Sequence, residues 1–364
     1  MFQRYRLAYF VLLALAALAV AASVALGDQP AISYVKFSLS GSSFVIWVLP
    51  ALIWYGLLAV AITRRRVDHP MRTIARVARF NRNWLLRGMV FAFLAVPLGR
   101  AVTAIKVAIP TVIPFYADPL LVDLDHALFF IDPWRLTHAV IGEWGTILLD
   151  RIYALWFLLM MGMIAWAAFT RDQKFQTRAL LSIYGTWIVL GNLLAVSLSS
   201  VGPCFYEHFY GDTRFVPLME ILGEYDRNIG VNALFAMRYL LSVYGTESIG
   251  SGISAMPSVH VGIAFLFWLV CRDRFSRKWP HRLAGVFFLA IFIGSIHLGW
   301  HYVSDGIVSI IGVALIWWGS GRFVDWVEAR EARLARADLN PSGAVGHAAV
   351  LVTPAGASPA RRPA

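Results

Sequence analysis

The stretch GWHYVSDG, residues 299–306, sets His301 and Asp305 four residues apart, and SAMPSVHVG, residues 254–262, carries His260. Side chains four apart share a face of a helix, so the Asp305 carboxylate reaches one imidazole nitrogen of His301. That contact fixes the tautomer and leaves the other nitrogen free to attack an electrophile. His260, brought from a neighbouring helix, then serves as general acid toward a leaving oxygen. The two histidines need opposite protonation states, the mark of a nucleophile and acid pair. Two plainer readings stand beside this one. A lone histidine at an interface is an ordinary amphipathic residue, and His297 fits that description. The series His297, His301, Asp305 also has the spacing of a metal site on one helix face. No cysteine and no obvious fourth ligand accompany it, so the reading takes no metal and no cofactor.

The elements that must position these groups follow from composition. The chain has 364 residues, 59% of them hydrophobic and 15% charged, with a mean hydropathy of +0.65. A bilayer core about 30 Å thick asks for roughly 20 apolar residues per helix. Apolar runs at about 8–26, 44–63, 88–115, 147–169, 179–200, 258–271, 283–299 and 303–319 therefore predict an all-α polytopic membrane protein with about eight spans. The first run follows Arg4 and Arg6, and its length favours a membrane anchor over a cleaved signal peptide.

Basic residues set the orientation. TRRRVDHPMRTIARVARFNRNWLLRG holds eight arginines, TRDQKFQTR three basic residues and CRDRFSRKWPHR five, all on one side of the membrane. The loops 116–146 and 201–257 hold most of the acids. Both termini are thus expected in the cytoplasm, with His260, His301 and Asp305 at the outer ends of the sixth and last spans. The formal charge of +11 is a topology signal and needs no nucleic acid to explain it. Cys204 falls outside and Cys271 inside, which excludes a disulfide between them. Short loops favour a bacterial inner membrane.

Residues 116–146 read as short interfacial or re-entrant helices over the outer mouth. Residues 201–257 read as an extracytoplasmic lid of amphipathic helices. The expected organisation is an N-terminal two-helix extension with a basic loop (1–85), a membrane core (86–320) and a largely disordered cytoplasmic tail (321–364), rich in Pro, Ala and Gly beyond about 340. Pro257 and Ser258 suit a helix N-terminus, where free N–H groups and the dipole favour an anion such as phosphate. Arg100 and Lys106 in the third span and Arg214, Arg227 and Arg238 in the lid are the candidate cations for it. Arg100 also fits an ion pair inside the bundle, and Lys106 a snorkelling side chain.

AMPSVHVG and GSIHLGWHYVSDG resemble the second and third motifs of the type 2 phosphatidic acid phosphatase superfamily, whose common pattern is K-x6-R-P, P-S-G-H and S-R-x5-H-x3-D. The resemblance implies a six-helix membrane core, with His301 as the nucleophile forming a phosphohistidine, Asp305 as its orienting partner and His260 as general acid. The chain departs from the pattern at Val259, which stands for the glycine, and at Gly294 and Ser295, which stand for Ser and Arg; no K-x6-R-P occurs. In these respects, and in DPLLVDLDHALF and GPCFY, it is similar to the branch containing inositol phosphorylceramide synthases. That likeness implies transfer of a phospho-headgroup from a phospholipid donor to a lipid acceptor. A lipid or polyprenyl phosphate phosphatase is the nearest alternative, and a non-catalytic lipid-binding protein or transporter is the alternative of another class.

Overall fold

The computed structural model describes residues 5–27, 56, 60, 64, 69–246 and 251–339. The span expected at 44–63 lies, apart from Gly56 and Val60, outside the described residues, as does the tail from 340. Among the described residues, six helices are long and apolar enough to cross a membrane: α1 (Arg6–Ala25), α3 (Arg82–Val112), α6 (Glu143–Phe169), α7 (Gln173–Ser197), α12 (Lys278–His297) and Val303–Arg336 within α13. Apolar helices suit that solvent because each satisfies its own backbone polar groups. A short amphipathic helix α2 (Pro70–Phe80) leads into α3. Within α7 the α-helical pattern, Gln173–Ile188, passes through a π-helical turn, Val189–Leu194, before its last residues.

The expected sixth span forms as α11 (Val259–Arg274), of only 16 residues. Such a helix is about 24 Å long, short of the ~30 Å hydrocarbon core. The last helix runs the other way and continues to Leu339, beyond the expected end of the core at residue 320. Its extension is held by Lys174, which reaches Asp325 at 2.7 Å and Glu328 at 3.0 Å, and by Val324 and Val327, both fully buried. Helix rather than disorder therefore occupies the described part of the tail.

α12 and α13 pack around α11, while α6 and α7 bring α3 against the same centre. The buried Tyr184 hydroxyl donates to the Phe91 carbonyl at 2.7 Å and so ties α7 to α3. On the basic side, the Arg178 guanidinium lies 3.7 Å over the Trp317 ring and 3.4 Å from Asp273, linking α7, α13 and α11.

The opposite face carries the cap and the lid. Residues 116–146 form α4 (Asp118–Phe129) and α5 (Pro133–Val140), each with a proline in its first turn, a place where the missing N–H has no helical partner to lose. Residues 203–242 form a 3₁₀ turn (Pro203–Phe205), α8 (Tyr206–Tyr210), α9 (Val216–Ile229) and α10 (Asn232–Ser242). Asp118, fully buried, joins cap to lid. Its carboxylate accepts from the Val201 and Gly202 amides at 2.8 and 2.7 Å, from Ser200 Oγ at 3.2 Å, and from the Tyr210 and Tyr302 hydroxyls at 3.0 Å. Gly202 has φ +91°, and a Cβ there would lie 2.6 Å from the Trp300 carbonyl oxygen. Only glycine fits both the conformation and the space.

Asp118→Ala strands several buried donors at once. It is expected to cost about 3 kcal/mol or more, read as a lowered denaturation midpoint of the detergent-solubilised protein. A loss below about 1 kcal/mol, the size of one ordinary hydrogen bond, would contradict the hub role.

Candidate active site

The start of α13 places His301 and Asp305. The first amides of a helix have no partner within it, and here the carboxylate of Asp125 on α4 supplies one, accepting from Val303 N at 2.7 Å and Ser304 N at 3.0 Å. The Asp305 carboxylate is thereby left to its own neighbours. Its Oδ2 accepts from the Tyr302 amide at 3.1 Å and faces His301 Nδ1 at 3.2 Å. With Asp305 ionised, the proton sits on Nδ1 and the lone pair on Nε2. The turn before them is fixed by the Ser295 carbonyl, which accepts from Trp300 N and His301 N at 2.9 and 3.0 Å.

His260 arrives from α11, whose first turn is capped by Ser258. Its Oγ accepts from Val261 N at 3.2 Å, as an N-cap serine does. The His260 and His301 ring centroids lie 6.0 Å apart, near enough for the two imidazoles to flank one phosphoryl group. The Tyr153 and Trp156 rings of α6 also lie against His260, at 5.0 and 4.2 Å.

Both histidines open onto a cavity of about 370 Å³ lined by α3, α6, α7 and the segment 251–255. Arg100 and Lys106 line it as well, together with Met160, Trp187 and other apolar side chains; among the described lining residues none is acidic. Two cations, two imidazoles and no carboxylate make an anion site with an apolar extension. The segment 251–255 closes it by crossing α3 at Lys106. Gly252 has φ +106°, and a Cβ there would meet Lys106 Cβ at 2.9 Å and Val107 N at 3.0 Å.

Other candidates lie elsewhere. Arg214 does not line the cavity: its guanidinium holds Asp132 Oδ1 at 2.6 and 3.0 Å, joining the lid to the turn between α4 and α5. That contact holds Arg214 protonated more firmly than an isolated guanidinium. Arg238 pairs with Asp226 at 3.0 Å within the lid. Arg214, expected to reach the substrate, is engaged here by a carboxylate with little solvent to compete for it. Ser258 is buried and caps α11.

His297 is a packed structural residue. Its ring is stacked on His138 at 3.7 Å and its nitrogens meet Thr137 Oγ1 and Thr146 Oγ1 at 2.9 and 2.8 Å. Among the described residues no three His, Cys, Asp or Glu side chains converge as a metal set.

Sequence reasoning missed Asp118, Asp125, Tyr153 and Trp156. A signal was present for the first pair: positions seven apart fall on one face of a helix, and in DPLLVDLDHALF that face carries two carboxylates. No signal distinguished the two aromatic residues among the 14% of such residues in the chain.

Burial pushes the His301 imidazole down to about 3, and the nearby Lys106 charge adds to this, while the Ala255 carbonyl acts in the other direction. The ring therefore stays neutral until the pH falls far below the ordinary histidine range near 6.5. Its NMR signal is expected to show no titration from about pH 8 to about pH 5. A titration centred near 6.5 would contradict the buried, neutral ring.

A family model described as the PAP2 superfamily matches residues 119–319, more than half of the 364-residue chain. The match covers both histidine motifs and leaves α3, with Arg100 and Lys106, on its N-terminal side. No curated protein and no solved structure matches the chain.

Proposed function

Since the chain belongs to the PAP2 superfamily, whose members are phosphatases and phosphotransferases acting on lipid phosphates, we propose that it moves a phospho-headgroup from a phospholipid donor to a lipid acceptor, in the manner of inositol phosphorylceramide synthases. His301 Nε2 attacks the donor phosphorus as the bond to the leaving oxygen breaks, and His260 gives its proton to that oxygen. Asp305 holds the His301 tautomer and stabilises the positive charge that develops on the ring. An acceptor hydroxyl then attacks the phosphohistidine, returns its proton to His260 and frees His301. Arg100 and Lys106 hold the phosphoryl oxygens, in place of the absent K-x6-R-P cations.

The observation that carries the reading is the pair of imidazoles, 6.0 Å apart, on a cavity whose described lining has two cations and no acid. Transfer rather than hydrolysis is favoured by the apolar lining and by the lid, which limit water and leave room for a lipid hydroxyl. The site lies at the membrane face opposite Arg171, Lys174, Arg272, Arg274 and Lys278, and by the positive-inside rule that is the extracytoplasmic face. A bacterial inner membrane suits this arrangement.

Purified protein given a phospholipid labelled in its phosphate is expected to form an acid-labile phosphoenzyme at His301, absent in His301→Ala, and to release product phospholipid only when a lipid acceptor is added. Free phosphate or phosphoalcohol without acceptor would identify a hydrolase. No turnover, with binding retained in His301→Ala, would identify a lipid-binding protein or transporter. Lys106→Met is expected to lower turnover by about 10²-fold, the usual size of a lost preorganised charge contact, with expression unchanged. A parallel loss of folded protein would assign Lys106 to structure instead.

A further inference from the structure

His301 has a carboxylate to orient it; His260 has none. No hydrogen bond to the His260 side chain occurs among the described residues, yet a general acid must aim one nitrogen at the leaving oxygen to act on it. What surrounds its ring is aromatic. Tyr153 and Trp156 stand three residues apart on α6, which puts both on one face of that helix. Tyr153 is stacked on the imidazole at 5.0 Å with 25° between planes, and Trp156 lies against it at 4.2 Å and 43°. Trp156 Nε1 also donates to the His260 backbone carbonyl at 2.9 Å, so one side chain fixes both the backbone and the ring.

The Tyr153 hydroxyl is buried without a hydrogen-bond partner among the described residues. Burying such a group is costly, so what Tyr153 contributes here is its ring face. Both residues are nine-tenths buried. Aromatic faces carry negative quadrupole density and attract a cation within about 6 Å. They can therefore favour an imidazolium without placing an anion beside a phosphate, which a carboxylate would do. In a cavity that already holds Arg100 and Lys106, a third positive charge needs that kind of support.

We propose that Tyr153 and Trp156 are positioning residues for the general acid, holding the His260 imidazole by its faces and stabilising its protonated form in place of a carboxylate partner. The role rests on the reading of His260 as the proton donor to the leaving oxygen.

Leaving-group dependence tests it. A lipid phosphate ester releases an alkoxide that needs the proton, whereas its 4-nitrophenyl analogue releases a phenolate that does not. Trp156→Leu and Tyr153→Leu are expected to lower turnover of the lipid ester by about 10-fold or more and of the nitrophenyl analogue by less than about threefold. Tyr153→Phe, which keeps the ring, is expected to leave both unchanged. Equal losses on the two substrates, or a loss in Tyr153→Phe, would overturn the proposal.

The contact is read separately from turnover, because an imidazole against an indole quenches its emission. His260→Ala should raise tryptophan fluorescence in the otherwise native protein and leave it unchanged in a Trp156→Phe background. A rise that persists without Trp156 would overturn the contact. A native enzyme that turns over neither compound would overturn the functional reading, and the role with it, while the fluorescence result still decides the contact.

Discussion

Two backbone amides at the head of the last membrane helix, those of Val303 and Ser304, are held by a carboxylate from another part of the chain, Asp125. The placement of His301 and Asp305 depends on this. A helix start buried in protein must have its free N–H groups satisfied, and a negative charge at the positive end of the helix dipole does so with added electrostatic gain. Had Asp305 been used for that purpose, as an ordinary first-turn acid is, no carboxylate would remain for His301. The same device recurs. Asp118 binds the amides of Val201 and Gly202, and Asp150 on α6 binds those of Asn232 and Ala233 at the head of a lid helix. Buried acids on α4 and α6 thus fix the turn at His301 and the lid against one frame.

The electrostatics of the site follow a division of labour. Carboxylates lie behind it, bonded to backbone amides, and the cavity itself presents imidazoles, Arg100, Lys106 and apolar surface. A phosphate in such a cavity would meet donors and no repulsion. Interactions gain strength as water leaves such a space, so closure by the segment over Lys106 and by the lid helices would strengthen the hold on an anion.

Much of this was legible in the chain. Spans and the pairing of His301 with Asp305 follow from apolar length and the four-residue helical step, each a short-range property. His260 could be matched to them by depth alone. What failed to show was long-range. Nothing local to Arg214 announced its partner, Asp132, which lies 82 residues away. The helical reach of α13 to Leu339 depends on a lysine in α7 that no local pattern connects to it. Tyr153 and Trp156 read as two more aromatic residues in an apolar run, since a run of that kind does not say which of its faces meets a histidine.

The shortness of α11 has a consequence for the depth at which the cavity would lie in a bilayer. Arg272 and Arg274 at its basic end belong at the aqueous boundary, so a helix about 24 Å long leaves its shortfall at the other end, beside His260. With those arginines at headgroup level, the His260 and His301 rings would lie below the plane of the opposite headgroups. On the proposed function, a lipid would reach them by sinking several ångströms and shedding hydration from its phosphate. Under the proposed function such depth would favour a substrate whose hydrocarbon tail draws it under the surface.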